Sequence, residues 1–119
     1  MKIINIEWLD SVNMECFVTI ENNKKLLTFF SYGNTNLEEE INRGDFYCTL
    51  IDDIEITGKH NCEIISEKDG LKITGKLIDS NNGILDTEAF ILRIDVSLLP
   101  GDVKTSDYIR FMAKRIDLL

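Results

Sequence analysis

Asn13-Met14-Glu15-Cys16-Phe17-Val18-Thr19-Ile20-Glu21 is the stretch on which the fold turns. Met14, Cys16, Val18 and Ile20 fall on one parity, and Asn13, Glu15, Phe17, Thr19 and Glu21 fall on the other. Successive side chains of a strand point to opposite faces, so this alternation describes a strand with one buried face. A helix would scatter the same four apolar residues around its circumference.

The pattern recurs on both sides of that stretch. Ile4, Ile6 and Trp8 oppose Asn5 and Glu7, while Phe46, Cys48 and Leu50 oppose Tyr47, Thr49 and Ile51. Leu71, Ile73 and Leu77 oppose Lys72, Thr74 and Lys76. Phe90, Leu92, Ile94, Val96 and Leu98 oppose Ile91, Arg93, Asp95 and Ser97, and Ile109, Phe111 and Ala113 oppose Tyr108, Arg110, Met112 and Lys114. Residues 24–32 are apolar on both parities (Leu26, Leu27, Phe29, Phe30), which predicts a central strand covered on both sides. Turn chemistry punctuates the series. Asn22-Asn23, Asp69-Gly70 and Ser80-Asn81-Asn82-Gly83 tolerate the positive φ of tight hairpins. Gly75 alone lies inside a strand, where it signals a bulge or a close backbone approach.

One segment departs from the alternation. From Thr35 to Gly44 the chain has capping residues, then Glu38, Glu39 and Glu40, then a terminal glycine. Thr35 with Glu38, or Asn36 with Glu39, fits a capping box, and Leu37 and Ile41 lie four apart on one face. A short helix follows from these features. The expected architecture is therefore all-β and mainly antiparallel, with one short helix, over a single domain of residues 1–119. About three strands precede the helix and about five follow it. A closed or nearly closed barrel removes exposed edges and is the first expectation, with a two-sheet sandwich as the alternative. Three strands followed by a helix is similar to the opening of an OB-fold, although that fold has five strands and this chain has more.

Of 119 residues, 21 are acidic and 13 are Lys or Arg, a net charge of −8. Residues 1–69 hold 14 acids and 6 bases, whereas residues 70–119 hold seven of each. Such a field repels nucleic-acid phosphates and anionic membranes and favours a basic protein partner. Its plainer role is to keep a small domain soluble. Glu7 and Asp10 interrupt the N-terminal apolar run, and no stretch has the length of a membrane span, so a cytoplasmic location is expected. Three cysteines without C-x-x-C spacing agree with a reducing compartment. The abundance of Ile, Asn and Lys suits an AT-rich bacterial genome.

No constellation of catalytic residues emerges, and neither a metal nor any other cofactor is expected. His60 is the only histidine, leaving a serine or cysteine nucleophile without a second base to call on. His60 and Cys62 lack the further ligands of a zinc site, and Asp52, Asp53 and Glu55 lack the glycine and distal glutamate of a calcium loop. A bulge turning Asp52 and Asp53 into solvent is the simpler expectation. Asp86 and Glu88 share a strand parity, as paired carboxylates can, or as acids on a solvated face do.

Three functions follow, all non-catalytic. The first is a protein-interaction module of inhibitor or immunity type, taking a basic partner through Glu38, Glu39, Glu40, Asp52, Asp53 and Glu55. The second is a small-ligand barrel with a pocket lined by Trp8, Phe29, Phe30 and Phe111. The third is an OB-like single-strand binder using Tyr108, Arg110, Met112 and Lys114, with Lys72 and Lys76 on a separate polar face. Pairing of those bases with Asp86, Asp95 or Glu88 is the plainer alternative. The oligomeric state is left open.

Overall fold

The alternating stretch forms β2 (Glu15–Asn22), which pairs antiparallel with β1 (Lys2–Asp10) on one side and β3 (Lys25–Tyr32) on the other. Cys16, Val18 and Ile20 are buried on its inner face, as the alternation requires. The computed structural model describes residues 1–33 and 36–119. Next come α1 (Leu37–Arg43), β4 (Phe46–Ile56), β5 (Glu63–Glu67), β6 (Gly70–Asp79), β7 (Ile84–Asp86), β8 (Ile91–Arg93) and β9 (Tyr108–Leu118). A single turn of 3-10 helix, Val96–Leu98, lies between β8 and β9.

The sheet runs β1-β2-β3-β9-β4-β8-β7-β6-β5, and a further pairing of β6 with β9 closes β9, β4, β8, β7 and β6 into a five-stranded barrel. Most pairings are antiparallel; β3–β9 and β4–β8 are parallel. Side chains occupy the interior: Phe46, Ile73, Leu77, Leu85, Leu92, Ile109, Phe111 and Ile116 are each at most 1% exposed. The β1–β3 wing packs its inner face onto the same core, with the Phe29 and Phe46 rings 5.0 Å apart. The OB-like order would put the strands before the helix inside the barrel, but here all three lie outside the ring.

β9 changes neighbour midway. Residues from Tyr108 to Ala113 pair with β6, whereas Asp117 pairs with Phe30 of β3. At the crossing the inward parity slips: Ile109, Phe111 and Ala113 are buried, then Ile116 and Leu118. β4 slips at the same level, from Phe46 and Cys48 to the half-buried Ile51, through Leu50 at φ 50. Leu50 was expected on the inner parity and instead stands 77% exposed. A left-handed residue reverses the side-chain alternation, which accounts for the difference. A second irregularity spans Asp52 to Glu55, with Asp53 at φ 60, and both aspartates are exposed as the expected bulge requires.

Turn chemistry recurs in detail. In Asp10-Ser11-Val12-Asn13 the Asp10 carboxylate accepts from the Val12 and Asn13 backbone N–H groups and from Asn13 Nδ2. Asp79 does the same for Asn81 and Asn82 in Asp79-Ser80-Asn81-Asn82. These bonds favour the ionised form and hold both carboxyls below their ordinary range. Gly75 is a close approach, since a Cβ there would lie 2.9 Å from Asp86 O and from Leu85 Cγ. Gly83, at φ 67, is tighter: its Cβ would lie 2.2 Å from Ile94 O. Gly83→Ala is expected to cost about 2–4 kcal/mol, adding left-handed strain to a clash with backbone. Chemical denaturation would check this; a loss under about 1 kcal/mol would mean that the β7–β8 hairpin yields readily.

Three sequence expectations need correction. Residues 24–32 form a strand covered on one face only, with Leu26 54% exposed and Phe30 half-buried on the outside. The run from Phe90 to Leu98 is a three-residue strand followed by the 3-10 turn. The Asp95 side chain accepts from Ser97 N and Oγ, and that local bonding diverts the backbone from the ladder. The described residues carry six strands after the helix instead of about five, because β5 is an exposed edge with adjacent Ile64 and Ile65 and so lacks alternation. At the helix start, Asn36 and Glu39 form the reciprocal cap (Glu39 N to Asn36 Oδ1, 3.4 Å; Asn36 Nδ2 to Glu39 Oε2, 2.9 Å). The alternative cap through Thr35 lies outside the described residues.

Candidate functional site

The six acids expected to form one face fall into two groups. Glu38, Glu39 and Glu40 occupy the first turn of α1, where Glu39 and Glu40 both pair with Arg43 at 3.4 and 3.3 Å. Glu55 accepts from Arg110 Nε at 2.8 Å. Asp52 and Asp53 line a depression on β4 that includes none of the helix acids, and Glu38 lines a different one with Met1, Lys2 and Ile3. The two groups therefore make separate surfaces.

Around Asp52 and Asp53 the fold assembles a site that the sequence does not announce. Leu50, Asp52, Asp53, Asp69, Met112 and Lys114 line a shallow depression of about 180 Å³. Leu50 stands out of the barrel wall on left-handed backbone, 77% exposed. Asp69 arrives from the β5–β6 turn. That turn is held close because Gly70 packs on Ala113, where a Cβ would sit 2.4 Å from the Ala113 carbonyl oxygen. The exposed Leu50 side chain thus shares the depression with three carboxylates, one ammonium and the half-buried Met112.

Of the four rings expected to line a pocket, two are buried in the core and two are not. Trp8 is 52% exposed on β1, and Phe29 and Phe111 belong to the packed core. Phe30 is outside the barrel, 5.7 Å from Phe17 and beneath the Arg115 guanidinium at 4.1 Å. The barrel interior is taken by core side chains. A groove of about 470 Å³ lies elsewhere, between β3 and β5, walled by Leu26, Cys62, Ile64, Ile65 and Phe90.

The basic residues also differ from expectation. The β6–β9 register sets Lys72 against Met112, Thr74 against Arg110 and Lys76 against Tyr108, so all share one outer face instead of two. His60 stacks on Tyr108 with centroids 4.4 Å apart. Glu55 and Glu63 stand in the same rows, and Lys76 lies opposite Asp86. Arg110 pairs with Glu55, not with Asp86, Asp95 or Glu88, while Glu88 pairs with Lys25 at 3.3 Å. Asp86 and Glu88 do not continue one strand: β7 ends at Asp86, whose Oδ1 accepts from Glu88 N.

Cys16, Cys48 and Cys62 are free, buried thiols that pack as small apolar groups. Burial raises all three pKa values, that of Cys48 to about 12. Cys62 donates to Asp86 O at 3.6 Å, while His60 is turned onto Tyr108, so the two do not converge. Among the described residues no group of three or more His, Cys, Asp or Glu is placed to hold a metal ion. No helix among them is long and apolar enough to cross a membrane. No family model, curated protein or solved structure matches the chain.

Proposed function

We propose that the chain is a non-catalytic protein-binding module of inhibitor or immunity type, which takes a basic partner on the Leu50 surface. The observation that carries this reading is Leu50 itself, an apolar side chain held 77% exposed on strained backbone with Asp52, Asp53 and Asp69 beside it. A left-handed leucine costs on the order of 1–2 kcal/mol, and exposing it forgoes the gain of burial. An apolar pocket on a partner recovers that burial. Interfaces combine an anchor of this kind with a charged rim, and the rim selects the partner through its field. Three carboxylates select lysine- or arginine-rich surfaces and disfavour acidic ones.

The test compares proteins retained from the native cell extract by the full chain and by three variants. Leu50→Gly removes the anchor while suiting the left-handed backbone, and Asp52→Lys with Asp53→Lys reverses the rim. Glu38→Lys with Asp102→Lys makes the same charge change at exposed positions away from that surface. A basic protein held by the wild type and by the last variant should fall at least tenfold with each of the first two, a loss of about 1.4 kcal/mol or more. Retention by the Leu50 and Asp52/Asp53 variants undiminished from that of the wild type would contradict the proposal.

A further inference from the structure

Among the described residues the sheet has two free edges, β1 and β5, and they differ in length and in exposed apolar side chains. β5 is five residues long, with Glu63 and Glu67 at its ends, which is how natural proteins blunt an edge. β1 is nine residues long, with Ile4 48%, Trp8 52% and Leu9 51% exposed. A long apolar edge is a template for another strand, because every second residue offers unpaired N–H and C=O groups. Two irregularities interrupt its pairing with β2, and the residues without a partner there are Ile4 and Leu9. Both are apolar and both face solvent.

The charges along β1 specify what fits that edge. Lys2 is at its start, Glu7 beyond its middle and Asp10 at its end. A parallel copy would set Glu7 beside Glu7 and Asp10 beside Asp10. An antiparallel copy related by a two-fold axis at Ile6 sets Lys2 beside Asp10 and Ile4 beside Trp8, each twice, since a two-fold contact is self-complementary. Trp–Ile contacts supply affinity, and the exposed charge pairs chiefly choose the orientation. We infer that the free edge of β1 pairs antiparallel, about a two-fold axis near Ile6, with the same edge of a second copy of this chain. The two wings then join in one continuous sheet. The contact shares no residue with the Leu50 surface.

Sedimentation equilibrium of the full chain across the micromolar range tests this. The weight-average mass is expected to rise with concentration from 13.7 kDa toward twice that value. Ile4→Lys with Trp8→Lys should hold it at the monomer value. Should that variant lose its fold by circular dichroism, Ile4→Thr with Trp8→Thr makes the same comparison with better strand formers. In an equal mixture of isotope-labelled and unlabelled chain, a zero-length carbodiimide should join Lys2 of one copy to Asp10 of the other. A constant 13.7 kDa would overturn the inference, as would undiminished association in the folded variants or mixed-isotope links confined to other residues. Retention of a basic protein at the Leu50 surface is read separately and is unaffected by these outcomes.

Discussion

Phe111→Ala is expected to destabilise the chain by about 3–5 kcal/mol, a large share of the roughly 5–15 kcal/mol that keeps a domain folded. Phe111 is 1% exposed on β9, opposite Ile73 of β6, in the interior of the ring. Its removal leaves a void among Leu77, Leu85, Leu92 and Ile109, all fully buried and anchored on strands that cannot close inward without breaking the ring. Urea unfolding followed by circular dichroism measures the loss. Phe30→Ala provides the contrast at no more than about 2 kcal/mol, because that ring lies outside the barrel beneath Arg115. Were Phe111 instead the wall of a water-filled ligand cavity, truncation would merely enlarge existing space. A loss near 1 kcal/mol would then be expected, and it would contradict a filled barrel.

Alkaline unfolding gives the second large effect. Cys48 is buried on the inner parity of β4, and burial pushes its thiol from an ordinary value near 9 to about 12. The unfolded chain therefore gives up this proton first. The Cys48 contribution is fully present below pH 9 and is lost progressively as pH rises toward 12, reaching on the order of 4 kcal/mol. Lysines and tyrosines also titrate in this range, so the informative quantity is the difference from Cys48→Ala. That variant starts less stable because of its cavity, yet between pH 8 and pH 12 it should lose several kcal/mol less than the wild type. Parallel losses in the two proteins would show that the thiol does not resist ionisation. At neutral pH the same burial predicts negligible labelling of Cys48 by thiol reagents in the folded chain.

Alternation made β2, β6 and β9 legible because apolar residues hold one parity over most of each strand. The Asn36–Glu39 cap and Gly44, at φ 70 with its N–H bonded to the Glu40 and Ile41 carbonyls, were legible because their chemistry is local. Pairing between distant strands was not. No side chain of β4 advertises that it lies parallel to β8, and nothing in residues 24–32 tells that one face looks outward. The Leu50 surface was the least legible feature of all. Leucine carries no signal for positive φ, and its neighbours on β4 suggested an inward side chain. Asp52 and Asp53 stood out as acids, but Asp69 joins them only through the β5–β6 turn. Glu38, Glu39 and Glu40 stood out equally, yet the helix uses two of them to hold Arg43.

On the proposed reading, a basic partner docks on Leu50 and its three carboxylates. The most direct measurement is backbone amide shift mapping of the nitrogen-15-labelled chain, titrated with the basic protein it retains from extract. Changes are expected to cluster at residues 49–54 of β4, at the turn around Asp69, and at residues 112–114 of β9. Changes confined to α1, or spread along β1 with residues 49–54 untouched, would contradict it.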